Sequence, residues 1–198
     1  MLNEFINFTQ SLFPSISPYT KEQTKEAIKQ FKLSGRTELN LLNSTAYDFL
    51  AQGDILDGIP FIRIGNNGNI TAQRGKGMII SNTCSADHDD EIIIAPLLKI
   101  ESLNLNRSNI INNLHYRLFY LPDSKYEDFV VDFSLMNTFN KNVLNKQIED
   151  GKIKKESSLN QFGFYLLIAK LTICFMRPED EEVQEDRRKN YIEQHGCV

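Results

Sequence analysis

The side chains best suited to bind a ligand or catalyse a reaction lie between residues 74 and 97. Arg74 and Lys76 precede a short apolar run, and the polar loop after that run contains a thiol, an imidazole and four acidic side chains. Lys76 would hold a phosphate by its point charge, and Arg74 would hold one through the planar fork of its guanidinium. An exposed turn without a ligand accounts for the same two residues, so both interpretations stay open.

The loop offers a second kind of chemistry, because Cys84 and His88 are the residue types of a nucleophile and its base. Both lie in one loop, whereas catalytic pairs usually come from different elements, which favours a small buried cysteine and an exposed histidine. The adjacent acidic residues lack the glycine bend and ligand spacing of a calcium loop, and zinc would need further histidines or cysteines. We therefore expect no metal at Asp87, Asp89, Asp90 and Glu91.

A third set of candidate residues belongs to a later strand. Alternation places His115, Arg117 and Phe119 on one face of that strand. A basic residue beside aromatic residues on an exposed sheet could bind single-stranded nucleic acid, because bases stack on aromatic rings. Packing of that face in the core is the alternative.

The composition limits the class of protein. The chain has 198 residues and a net charge of −4, which argues against overall electrostatic binding of nucleic acid but allows a local basic patch. Three widely spaced cysteines fit a reduced, cytoplasmic protein better than a disulfide framework. The most apolar window, residues 162–176, is too short to span a bilayer. Phosphate loops and dinucleotide-binding motifs are absent, so we expect no cofactor. Together with the cysteine count and the short apolar window, this predicts a cytoplasmic protein without a membrane segment.

Local patterns predict the elements that position these residues. Helical signals come first, with a capped helix from Pro18 to Gly35 and a weaker helical segment over residues 37–50. Strand signals follow, including a hairpin turn at Asn67-Gly68. The predicted strands cover residues 54–64, 69–73, 77–81, 91–97, 116–121 and 129–136, and the later helices cover residues 108–114, 140–151 and 158–176.

These elements predict one α+β domain built on a small barrel of five or six strands. An N-terminal helical arm would cover residues 1–51, and the barrel with a C-terminal helical pair would cover residues 52–177. After Pro178 the sequence is dense in charge and nearly free of core residues. Residues 178–198 are therefore either an exposed helix or a disordered segment, and the composition favours a mobile tail.

The order of several short motifs resembles the MazF/PemK family of toxins, which have a small SH3-like β-barrel. The family has a Gly-Asp-[Ile/Val] opening, a basic residue before a "VLVLSN"-type strand and then an "IIVAPI"-type strand. The resemblance covers roughly residues 52–176 and is carried by Gly53-Asp54-Ile55, Lys76-Gly77, residues 78–82 and 92–97, and a last strand and helix within residues 129–148.

The resemblance implies metal-independent cleavage of single-stranded RNA by attack of a 2′-hydroxyl on the adjacent phosphate. The family arginine precedes the second strand, where this chain has Lys76-Gly77, with Arg74 two residues earlier, and the family threonine corresponds to Glu91. Arg74 and Lys76 would then stabilise the phosphorane charge, with Glu91 or His88 as the acid–base group. The expected RNA contacts are Asn82, Thr83 and Arg117.

The same resemblance implies partners, and two other functions stay open beside it. A toxin–antitoxin system would supply an antitoxin, and the resembling toxins form homodimers. A non-catalytic barrel that binds a protein partner, for example in a phage-defence or counter-defence module, would explain the departures at Lys76 and Glu91. A thiol-dependent enzyme centred on Cys84 is the third reading.

Overall fold

The computed structural model describes residues 40–83, 89–175 and 180–195. These residues form an α+β fold around one seven-stranded antiparallel sheet, which confirms the predicted α+β class. The strands are β1 (Ile55–Ile64), β2 (Ile70–Ile79), β3 (Glu91–Lys99), β4 (Leu118–Tyr120), β5 (Phe129–Asp132), β6 (Asn137–Asn140) and β7 (Lys154–Ser157). The helices are α1 (Arg107–Ile111), α2 (Lys141–Glu149), α3 (Gln161–Phe175) and α4 (Glu181–His195).

The strands follow the order β4-β5-β3-β2-β1-β7, and β6 also pairs with β3. The long β3 is central, because its first residues pair with β6 and its last residues pair with β5. Its middle pairs with the end of β2, where Met78 lies opposite Ala95. Strand β7, which the sequence patterns did not reveal, extends the sheet beyond β1.

Strands β1 and β2 form the predicted hairpin around Asn67-Gly68. Gly68 has a φ of +79°, a conformation that glycine adopts without steric cost and that such turns require. The two short strands predicted over residues 69–73 and 77–81 are one continuous strand, β2. A bulge interrupts β1 at Gly58, whose φ is +91° and whose α-carbon faces the backbone oxygen of Lys152 too closely for a side chain.

The sheet has a hydrophobic core on each face. Because side chains alternate along a strand, Met78 and Ile79 point to opposite faces. We call the face of Met78 the α3 face, since its core includes Ile55, Met78, Ala95, Leu97 and Val131 with Leu166, Leu167 and Leu171 of α3. The other is the α2 face, whose core includes Leu56, Ile59, Ile79, Ile92 and Ile94 with Leu144 of α2. The predicted helical pair therefore consists of two helices in separate cores.

Strand pairing does not close this seven-stranded sheet, so the prediction of a small barrel of five or six strands is not confirmed. The sheet nevertheless curls around its α2 face. Asn137 of β6 accepts a hydrogen bond from the backbone N–H of Ile62 in β1, with an N···O distance of 2.7 Å. The rings of Phe61 and Phe139 meet edge to face with centroids 6.0 Å apart. One amide and two rings thus bridge strands that are not neighbours in the sheet.

The predicted helical arm is wrong in its described part, residues 40–51, which contains no helix. Leu41 and Leu42 are both buried, and Leu42 forms an isolated antiparallel bridge with Leu159. Successive residues can both be buried in this way where an extended segment lies between the sheet and a helix, and tertiary packing then overrides helix propensity. Residues 1–39, where the other arm helices were predicted, lie outside the described residues.

The charged C-terminal segment contains α4, the exposed helix that the sequence allowed as one of two alternatives. Its described side chains, residues 180–189, are all exposed. No helix in the described part of the chain is long and apolar enough to cross a membrane.

Candidate functional site

Two predicted phosphate-binding residues share one face of β2. Arg74 and Lys76 alternate with Gly75 and Gly77, so both side chains leave β2 on the α3 face that also carries Met78. Arg74 is exposed, and its Nη1 donates a hydrogen bond to the backbone oxygen of Gly58 over 2.8 Å. This bond ties the exposed guanidinium to the bulge in β1.

Lys76 is held by carboxylates. Its Nζ lies 2.6 Å from Oε1 of Glu156 and 3.5 Å from Oδ2 of Asp57. A second ammonium, that of Lys125, lies 3.9 Å from the other carboxylate oxygen of Glu156 and donates to its backbone oxygen over 3.1 Å. Glu156 is therefore the shared anion of two lysines on this face.

The same carboxylate belongs to a partly buried hydrogen-bond network. The hydroxyl of Tyr126 lies 3.2 Å from Oε2 of Glu156 and 2.8 Å from Oγ of Ser157. Burial raises the pKa of the Tyr126 phenol far above its ordinary value, and Glu156 raises it further, so this group stays protonated and donates. We call Asp57, Lys76, Lys125, Tyr126, Glu156 and Ser157 the Glu156 network.

The structure does not bring Glu91 to these residues. Glu91 is the exposed first residue of β3, and Asn140 donates to its Oε1 over 3.5 Å. Gly77, next to Lys76, lies opposite Pro96, which is five residues beyond Glu91. At about 3.3 Å per residue, roughly 16 Å or more of strand separates Glu91 from Lys76.

The remaining predicted site residues are spread over other regions. Arg117 is three strand positions away from β2, beside β4, and its Nη2 lies 3.7 Å from the buried Oδ2 of Asp132. Asn82 is exposed, and Thr83 accepts a hydrogen bond from the backbone N–H of Gln52 over 3.1 Å. Cys84 and His88 lie outside the described residues, so the thiol–imidazole hypothesis stays a prediction.

The Gly-Asp-Ile motif performs a structural role. Asp54 is fully buried, and its Oδ2 accepts a hydrogen bond from the backbone N–H of Ala51 and pairs with Nζ of Lys155 over 2.6 Å. Gly53 has a φ of +89° and packs against Leu159, where a side chain would clash. Charge pairing and close packing therefore explain why this turn needs glycine followed by an acid.

A cleft that the sequence patterns did not reveal lies beside this turn. It has a volume of about 270 Å³ and is lined by Tyr47, Phe49, Ala51, Gln52, Thr83, Leu159, Asn160, Gln161 and Phe164. The rings of Tyr47 and Phe49 are stacked, with centroids 5.1 Å apart. The sequence does hint at this cleft. Tyr47 and Phe49 are two positions apart, a spacing that puts both on one face of an extended segment but not of the helix predicted there.

Neither a protein-family model nor a curated protein matches the chain. Among the residues that the structure describes, no group of three or more histidine, cysteine, aspartate or glutamate side chains could hold a metal ion.

Proposed function

We propose that the protein is a divergent, MazF/PemK-like SH3-like barrel that binds single-stranded RNA, with Arg74 and Lys76 as phosphate-binding residues. The observation that carries this proposal is the placement of both side chains on one face of β2, with Lys125 converging on the same carboxylate as Lys76. Cations spaced along a strand can follow the phosphates of an extended single strand.

The curl of the sheet supports the barrel part of the proposal. A small barrel needs strands that are not neighbours in the sheet to approach each other, and here Asn137 of β6 reaches the backbone of Ile62 in β1. Gly77 leaves room for Ile94 and Phe61 to pack inside the curl, since a side chain at position 77 would clash with both. The proposed barrel axis therefore passes through the core of the α2 face.

The Glu156 carboxylate occupies the position of an anion between Lys76 and Lys125. A phosphate oxygen placed there would meet the same donors, namely two ammonium groups and the phenol of Tyr126. RNA binding at this position therefore requires the carboxylate to give way, and Arg74 supplies the additional positive charge on the surface.

Cleavage is the further activity that the resemblance implies. The 2′-oxygen would form a bond to phosphorus and lose its proton, while the bond to the 5′-oxygen breaks and that oxygen gains a proton. Glu91 lies too far along β3 to serve a phosphate held by Lys76, so binding is the part that the geometry favours.

The test is incubation of the purified protein with mixed-sequence, single-stranded RNA in EDTA. Binding is followed by fluorescence anisotropy, and cleavage by fragments that end in a 2′,3′-cyclic phosphate. Arg74→Ala and Lys76→Ala should each weaken binding and reduce the salt dependence by about one counterion. Lys189→Ala, which removes an exposed lysine of α4, is the charge-matched control. Equal affinity in all four proteins, or no binding by the unaltered chain, would refute the proposal.

A protein-binding function is the second candidate, and one exposed apolar stripe favours it. Ile62, Ile64 and Ile70 are 58%, 70% and 72% exposed, and the register places them on the same face of the hairpin. Apolar side chains grouped in this way mark surfaces that bind proteins more often than isolated ones do.

Ile64→Asp separates the two candidates. A protein-binding hairpin would lose a co-purifying polypeptide, or its own self-association in light scattering, when this charge is introduced. Val143→Asp is the control, since Val143 is 60% exposed on α2. RNA affinity that stays unchanged in Ile64→Asp, together with loss of the partner, would favour the protein-binding function.

A further inference from the structure

We propose that the cleft beside Tyr47 and Phe49 receives one unpaired base of a single-stranded RNA. This inference rests on the proposed RNA-binding function and adds a second anchor to it, apart from the charged face of β2. The cleft volume of about 270 Å³ lies below the usual range for drug-sized ligands, which suits a single planar heterocycle.

The aromatic pair forms an open stacking platform. The rings of Tyr47 and Phe49 are nearly parallel, with 11° between their planes, and the side chains are 40% and 54% exposed. Phe119 and Phe133 form a comparable stack, with 19° between their planes, but those residues are only 2% and 3% exposed. The buried stack is part of the core, whereas the exposed stack leaves a ring face for a ligand.

The platform is held in place before any ligand arrives. Nζ of Lys155 lies 5.8 Å and 5.9 Å from the ring centroids of Tyr47 and Phe49, and it also donates to the backbone oxygen of Phe49. The ion pair with buried Asp54 fixes this ammonium, and Ser158 accepts a hydrogen bond from the backbone N–H of Tyr47 over 3.0 Å. A fixed platform reduces the entropy that binding costs.

Polar groups around the cleft suit the edge of a base. Gln52 is 8% exposed, and its Nε2 donates to the backbone oxygen of Ile80, but no described residue donates to its buried Oε1. Oε1 is itself closed to solvent, so a base donor reaches it only when the Gln52 carboxamide turns toward the cleft, which would relieve the cost of a buried acceptor without a donor. Thr83 and exposed Gln161 add a hydroxyl and a second carboxamide to the rim.

The same rim suits the phosphate attached to that base. Asn160 caps α3, since its Oδ1 accepts from the backbone N–H of Gly163 over 2.9 Å. The first N–H groups of a helix have no partner within the helix, and they favour an anion. Asn160, Gln161 and Phe164 all line the cleft, so a base on the rings would have its phosphate near this helix end.

The polar rim favours a base over an apolar peptide side chain. An apolar peptide side chain would use the two rings but would leave the polar groups of Thr83, Asn160 and Gln161 at the rim without a ligand partner. A base uses its flat face and its polar edge at the same time, which matches the two kinds of surface in the cleft.

Phe49→Ala removes half of the platform and tests the site. The probe is a fluorescein-labelled, mixed-sequence, single-stranded RNA, measured by anisotropy with the full chain. Loss of one base stack should raise Kd roughly 5- to 100-fold. Phe49→Tyr keeps a ring and should restore affinity. Phe175→Ala is the matched control, because Phe175 is 67% exposed at the other end of α3, about 20 Å away at 1.5 Å per residue.

A second probe separates stacking from a general loss of binding. An abasic RNA of the same length keeps its phosphates, so Phe49→Ala should bind it as well as the unaltered protein does. Photo-crosslinking of 5-iodouridine RNA should attach to Tyr47 or Phe49, located by mass spectrometry.

Each outcome decides the question. If the unaltered protein binds RNA and Phe49→Ala binds it equally well, the base site is refuted while the proposed function stands. An equal loss of affinity for normal and abasic RNA would also refute the site. No RNA binding by the unaltered protein would overturn the proposed function and this site together.

Discussion

Two neighbouring residues of β7, Lys155 and Glu156, support two regions with opposite character. Their side chains leave the strand in opposite directions, Lys155 toward the cleft and Glu156 toward Lys76. In the Glu156 network, each carboxylate and ammonium has a partner, so its charge is used within the fold. In the cleft, two rings are exposed and one buried oxygen lacks a donor among the described residues. Satisfied groups bind a ligand only after their internal partner gives way, as Glu156 must for Lys76, whereas the exposed rings of the cleft are available at once.

The largest expected effect comes from the ion pair beneath the cleft. Lys155→Ala leaves the fully buried carboxylate of Asp54 without its cation, and breaking a buried pair in this way costs about 3–5 kcal/mol of unfolding free energy. Urea unfolding followed by circular dichroism measures the loss. Lys154→Ala is the control, since Lys154 is exposed on the same strand. A loss below about 1 kcal/mol would show that water or a shifted loop replaces the lysine.

Lys170, unlike Lys155, is a buried lysine without a carboxylate partner among the described residues, so burying its charge lowers the stability of the fold. Its Nζ donates to the backbone oxygen of Asn113 over 2.8 Å, and burial lowers the pKa of Lys170 to about 8 from 10.5. Below pH 8 both folded and unfolded chains hold the proton, and the penalty for burying the charge is fully present. Between pH 8 and 10.5 the folded chain has lost the proton while the unfolded chain keeps it. Stability should therefore rise with pH through this window.

Lys170→Met tests that contrast with Lys155. Between pH 8 and 10 the unaltered protein should gain about 2 kcal/mol relative to the variant, because methionine has no proton to lose. Burial raises the pKa of Cys174 and the Lys170 ammonium lowers it, so Cys174 would titrate differently in the variant, and both proteins therefore carry Cys174→Ser. Unfolding free energies measured at several pH values give the comparison. Parallel profiles would mean that the Lys170 ammonium is not penalised by the fold.

A smaller effect is expected inside the Glu156 network. Tyr126→Phe removes a buried hydroxyl that contacts Ser157 and Glu156 and should cost about 1–2 kcal/mol of unfolding free energy. Tyr47→Phe is the control, because it removes a hydroxyl from a side chain that is 40% exposed. Thermal unfolding of both variants measures the difference. An unchanged midpoint in Tyr126→Phe would show that the network adds no net stability.

Several parts of the fold could be predicted from sequence because their signals are local. The Asn67-Gly68 turn and the helix predicted over residues 140–151 depend on a few adjacent residues, and both are present. The extended segment at Leu41 and Leu42 could not be predicted, because it is stabilised by contacts with residues more than a hundred positions away. A local pattern carries no information about such a partner.

The candidate site shows the same division. The sequence indicated Arg74 and Lys76 as phosphate-binding candidates but placed them between two short strands, whereas alternation along the continuous β2 puts both on one face. The pairing of Lys76 with Glu156 depends on β7, which the sequence patterns did not reveal, so the neutralised charge of Lys76 could not be predicted. The cleft combines residues from the chain segments around Phe49, Thr83 and Gln161, and only the folded arrangement brings these together.

The smallest expected effect would decide whether the Glu156 network only stabilises or also masks a binding surface. Glu156→Gln removes the negative charge between Lys76 and Lys125 while keeping the shape and hydrogen-bonding capacity of the side chain. If RNA phosphates approach this face, affinity should rise roughly 2- to 5-fold, and its salt dependence should increase by about one counterion. Glu149→Gln makes the same charge change at an exposed position on α2. Anisotropy titrations at several salt concentrations compare the two variants. An equal gain in both would reflect net charge alone, whereas a gain confined to Glu156→Gln would place the RNA against Lys76.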